Sequence, residues 1–125
     1  MQLSPRYDGP PVLQFTGEPG DLAVPLARQR RRLGALLQGL DDAGWATPSR
    51  CDGWSVRDVV AHLVGTDRFW ALSATSGLAG TRTRFLDGFD PVATPAAMVA
   101  GTRDQTPAEV LADYQRASAA LIDAV

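Results

Sequence analysis

The chain has 125 residues, 45% of them hydrophobic, with 12 basic and 14 acidic side chains giving a formal net charge of −2. That is enough sequence for one domain that buries roughly two-thirds of its unfolded surface. The acidic balance excludes a molecule-wide field that would draw in nucleic acid or an anionic membrane, and no apolar run approaches the roughly 18 residues of a membrane span.

Residues 1–20 are dense in Pro5, Pro10, Pro11, Pro19, Gly9, Gly17 and Gly20, which breaks helices and suits an extended or turning arm. This arm has neither the basic start nor the apolar stretch of a signal peptide. The single cysteine, Cys51, cannot build a disulfide framework. Both features lead us to expect a cytoplasmic protein.

Residues 21–125 carry the helical periodicity. A first helix is predicted from about Leu22 to Leu40, with Asp21 as N-cap and Pro25 tolerated in its first turn. Leu26, Leu33, Leu36, Leu37 and Leu40 form its apolar stripe, while Arg28, Arg30, Arg31 and Arg32 are expected on solvated faces. Asp41 to Trp45 reads as a short turn that Asp41 caps, and Pro48 holds Thr47 in extended backbone.

A second helix is predicted from Val56 to about Thr75, ending at Gly77. Ser55 is its N-cap and Asp58, three residues on, completes a capping box. Val56, Val59, Val60, Leu63 and Trp70 give it a buried face. His62, the one histidine of the chain, stands about 100° from Leu63 and so flanks that stripe. Residues 77–93 are expected to form a loop anchored by Phe85 and Phe89. Thr94-Pro95 opens a shorter helix to about Arg103, with Thr94 as its cap. Thr106-Pro107-Ala108-Glu109 opens the last helix with a second capping box, and Val110, Tyr114, Leu121 and Val125 line one of its sides.

The class is therefore all-α, an antiparallel bundle of three long helices plus one short, incomplete by one long member. Apolar Leu121, Ile122 and Val125 at an unstopped end suggest that the protein continues past residue 125. The alternative is a homodimer in which a second copy supplies the missing face.

The stretch Trp45-Ala46-Thr47-Pro48-Ser49-Arg50-Cys51-Asp52-Gly53-Trp54-Ser55-Val56-Arg57-Asp58-Val59-Val60-Ala61-His62-Leu63 resembles the N-terminal metal-binding domain of the mycothiol-dependent maleylpyruvate isomerase family, within the DinB-like superfamily of four-helix bundles. The shared pattern is a Trp, a Thr-Pro, a Cys-x-Gly-Trp, then a Ser-Val-x-Asp-Val-Val-x-His-Leu helix. The likeness extends over roughly residues 22–125 and leaves the arm aside.

The resemblance implies a divalent metal, usually zinc, held by three side chains. The histidine of the second helix maps onto His62. The other two are a carboxylate and a histidine four apart on a later helix, a spacing that puts both on one face. An open fourth position suits catalysis and would take the low-molecular-weight thiol mycothiol as thiolate. The implied activity is that of a transferase or isomerase acting on a small electrophilic substrate. No second histidine occurs in these 125 residues, so the chain alone is expected to be inactive.

Outside any family context, a lone histidine beside an apolar stripe is more often packed than ligating; the surrounding motif makes His62 a metal ligand. Asp58 is more simply a cap than a second ligand or an orienter of the imidazole. Cys51 could be paired with His62 as nucleophile and base, but a structural role is the plainer one. Trp45, Trp54 and Trp70 are expected to pack in the core and the turn, and Arg82 and Arg84 to be solvated. The competing function is a metal-free helical interaction module that dimerises to complete its bundle.

Overall fold

The computed structural model describes residues 20–21, 23–81 and 87–125. The arm before Gly20, Leu22, and the loop residues Arg82, Arg84 and Phe85 lie outside the described residues. The described chain is all-helical: α1 (Ala23–Gln38), α2 (Asp42–Ala46), α3 (Val56–Leu78), α4 (Ala93–Ala100) and α5 (Pro107–Ala124). Among the described residues, one antiparallel bridge joins Pro48 and Ser55.

Helix starts are fixed by side chains that satisfy the free amides of the first turn. The Asp21 carboxylate accepts from the Ala23 amide at 2.9 Å. Asp41 accepts from the Gly44 amide and so caps α2. Ser55 with Asp58, and Thr106 with Glu109, form complete capping boxes on α3 and α5. The start of α4 departs from expectation. Thr94 lies inside that helix, and the Asp90 carboxylate accepts from the amides of Val92 and Ala93. α3 also runs past Gly77 to Leu78, and the left-handed residue after it is Gly80, at φ +67°.

The core lies where α5 packs across α3 and α1, with α2 and α4 leaning on α3. Leu37, Trp45, Val60, Ala61, Val64, Val110, Tyr114 and Ala117 form one buried cluster, which Leu33, Leu40, Val56, Leu63 and Leu111 flank. Three residues placed in the stripes by periodicity are instead exposed: Leu36 at 64%, Trp70 at 56% and Val125 at 59%. Their positions on α1, α3 and after α5 face no other described helix closely enough to be covered.

One polar cluster sits within this core. Asp67 of α3 is fully buried. Its carboxylate accepts from the Arg30 guanidinium at 2.6 Å and from the Ser118 hydroxyl at 2.9 Å. The Tyr114 hydroxyl donates to the Arg30 carbonyl at 3.3 Å. Arg30 therefore leaves the solvated face expected of it and joins α1 to α3 and α5. A buried carboxylate needs such partners, because desolvating it alone costs several kcal/mol, roughly.

Candidate functional site

The segment between α2 and α3 is a short folded-back excursion. The Ser49 amide donates to the Trp54 carbonyl at 2.8 Å, and the Val56 amide to the Thr47 carbonyl at 2.9 Å. At its tip the Trp54 amide donates to the Cys51 carbonyl at 3.0 Å, closing a β-turn with Gly53 in its third position at φ +76°. Only glycine adopts that backbone at no steric cost. The Cys-x-Gly-Trp spacing is thus a turn requirement, and it delivers Trp54 to the side of α3. There the indole meets the His62 ring at a centroid distance of 5.3 Å and a tilt of 52°.

Asp58 and Arg57 hold the first turn of α3. One Asp58 carboxylate oxygen accepts from the Ser55 amide at 3.0 Å and the Ser55 hydroxyl at 2.9 Å, and the other from Arg57 at 3.1 Å. Burial alone would raise the Asp58 pKa, but the Ser55 amide and hydroxyl and the Arg57 charge outweigh it and hold it below 3.8. Its oxygens are committed to the cap, not to His62. Arg57 also donates to the carbonyls of Thr102 and Gln105, clamping the α4–α5 connection onto α3.

His62 follows two turns into α3. Its Nδ1 is buried and has no hydrogen-bond partner. A polar atom left in that condition costs about 1–3 kcal/mol, so it calls for an explanation. The imidazole lines a cleft of about 490 Å³ between α3, α4 and the segment before α4. Phe69, Trp70, Phe89, Pro95 and Met98 form its apolar walls, and Thr66 and Thr94 add hydroxyls. Gly65 forms part of its floor, where a Cβ would collide with the Met98 methyl. The absent side chain lets α4 seat against α3.

The expected site residues are thus divided. His62 and Trp54 come together; Asp58 stays in the cap. Cys51 is an exposed free thiol at the turn, with no hydrogen bond to His62. The walls from α4 and Phe89 were not anticipated as part of a site; Phe89 was expected to anchor the core. Among the described residues, no three His, Cys, Asp or Glu side chains are grouped so as to hold a metal ion. The chemistry of the unpaired Nδ1 of His62 is that of one metal donor, but the described residues do not hold an ion by themselves.

The capped α3 helix, its Gly-Trp turn and its cleft-lining histidine define a helical domain organised around a single imidazole. The chain belongs to the family described as mycothiol maleylpyruvate isomerase N-terminal domain, which matches residues 26–125. Two curated relatives, uncharacterized proteins from two strains of Mycobacterium tuberculosis, are each 30% identical to it over 102 residues. That match takes in 78% of this chain and 38% of each relative, so the chain spans well under half of their length. No solved structure matches it. Among the described residues, no helix is long and apolar enough to cross a membrane.

Proposed function

We propose that residues 21–125 are the DinB-like, metal-binding part of a cytoplasmic, thiol-using transferase or isomerase that acts on a small electrophile. The observation that carries this reading is the buried, unpartnered Nδ1 of His62 beside an open cleft, within a chain of this family. His62 would take one position on a divalent ion, zinc by the chemistry of the family. The other donors would come from outside the described residues, as would the fourth long helix of the bundle. A bound zinc ion supplies the charge that keeps a thiol such as mycothiol as thiolate near neutral pH. Trp54 fixes the plane of the imidazole, and the cleft walls exclude water from whatever lies against it.

The test is the metal content of the protein expressed from its complete gene and purified without chelator, beside His62→Ala. About one zinc per chain in the wild type, and less than about a tenth in the variant at unchanged helicity, supports the proposal. Equal content in both, or none in either, refutes it.

A metal-free module that dimerises to complete its bundle is the second reading. An open groove of about 480 Å³ between α1 and α5, floored by small residues such as Ala27, Gly34 and Ala35, favours it. A cooperatively folded monomer in light scattering would dismiss it.

A further inference from the structure

The His62 cleft has a neighbour. A second cavity, of about 210 Å³, is enclosed by α3, α4, the α4–α5 connection and α5. By itself it falls below the roughly 300 Å³ at which small-molecule sites begin, whereas the cleft, at about 490 Å³, lies within their range. The two share a pair of wall residues, Gly65 and Met98. The Met98 side chain stands between them, its methyl resting on the Gly65 backbone in the space that a Cβ would occupy.

Met98 suits a wall that moves. It is 48% exposed, and an unbranched thioether with three rotatable bonds repacks at little cost. Glycine inside a helix is destabilising relative to alanine. At position 65 it gives the methyl a seat, and it leaves a low sill when the methyl swings away.

The second cavity carries charge. Arg68 of α3 pairs with Asp113 of α5 at 3.3 Å, and Arg116 and the Gln105 amide also donate to Asp113. Two arginines thus meet one aspartate. Glu109, one turn earlier on α5, is turned back to the Thr106 cap. Arg68 is 57% exposed and presents five N–H donors in a planar fork, so its pairing with Asp113 leaves donors for a further oxyanion.

We propose that Met98 is a displaceable partition, and that the His62 cleft and the Arg68 pocket form one elongated site for a small molecule with an apolar body and an anionic oxygen-bearing tail. The body lies against Phe69, Trp70 and Phe89, and the tail passes over Gly65 to Arg68. Only calling that molecule a substrate rests on the proposed function; the joined site stands on its own walls. A divalent ion on His62 would face the body of the molecule, and Arg68 its other end.

The experiment is a calorimetric titration of the protein from its complete gene with 2-naphthylalkanoic acids whose tethers run from about one to six methylenes. Each acid is titrated into the wild type and into Arg68→Gln. The affinity ratio of the two proteins should be near one for the shortest acid. It should rise to about fivefold at a longer tether, the worth of a half-exposed ion pair, and in the wild type that gain should vanish in about 1 M salt. Met98→Ala leaves nothing to displace and should raise the ratio about threefold more. Both side chains are exposed enough that the variants should fold, as circular dichroism will check, and the salt dependence needs no variant.

A ratio that stays flat along the series puts the tail elsewhere. A ratio that Met98→Ala leaves unchanged means that Met98 is no partition. Either result overturns the inference, as does a lack of saturable binding by every acid. The same tether dependence should persist in His62→Ala; its loss there would mean that a metal holds the carboxylate, and would also overturn the inference. Zinc content and tether dependence vary independently. A protein without zinc whose ratio rises with the tether keeps this inference and loses the proposed function, and a zinc-bearing protein with a flat ratio does the reverse.

Discussion

The Asp67 carboxylate and the Arg30 guanidinium meet at 2.6 Å inside the core, although 37 residues separate them in sequence. Ser118 supplies a second donor to the same carboxylate from α5. Replacing Asp67 by Ala leaves a largely buried guanidinium unpaired and should cost about 3–5 kcal/mol. The double variant Arg30→Met with Asp67→Leu should recover most of that loss. Urea denaturation of the three proteins measures both values. Equal stability of the single variant and the wild type would mean that the pair does not hold the core together.

The capping boxes give the fold an acid limit. In the folded chain Asp58 lies below its ordinary 3.8, because its Ser55 and Arg57 contacts outweigh burial. Glu109 lies below its ordinary 4.5, chiefly through the Thr106 amide and then its hydroxyl. The folded state therefore binds fewer protons than the unfolded chain, and the stabilisation is present in full above those ordinary values. It drains away as pH falls from about 4 through the lowered folded values. Denaturation midpoints at pH 7 and pH 3 should differ less in Asp58→Asn than in the wild type. Ser55→Ala should cost about 1 kcal/mol at pH 7.

The turn at Gly53 positions an aromatic ring against the imidazole. Gly53→Ala forces a side chain into backbone at φ +76° and should cost about 1–2 kcal/mol. It should also move Trp54. Because the chain has one histidine, its ring protons report Trp54 directly in a proton NMR spectrum. Gly53→Ala and Trp54→Ala should shift the His62 ring protons in the same direction, as the indole ring current is lost. Unmoved signals would contradict the ring contact.

How well sequence foretold structure depended on distance along the chain. The caps at Asp41, Ser55 and Thr106 were legible because each rests on groups within three residues. The Thr94 cap failed on the same scale, since Asp90 reached the free amides first. Asp67 gave no sign of its burial: its partners are 37 and 51 residues away, and periodicity alone assigns an acid to the surface. Trp70 shows a related limit. Helical spacing gives a side chain's direction but not what stands opposite, and opposite Trp70 lies the open cleft with Phe89 and Met98. The motif around His62 was legible as a turn and a helix, whereas the walls from α4 and Phe89 depended on how distant segments meet.

The most direct test of the His62 assignment is a nitrogen-15 NMR spectrum of histidine-labelled protein from the complete gene, with and without one equivalent of zinc. His62→Ala identifies the signals that belong to this residue. One ring nitrogen of His62 should move to the metal-bound position in step with added zinc and saturate at one equivalent. Ring nitrogens that respond to pH alone, and are indifferent to zinc, would contradict the account.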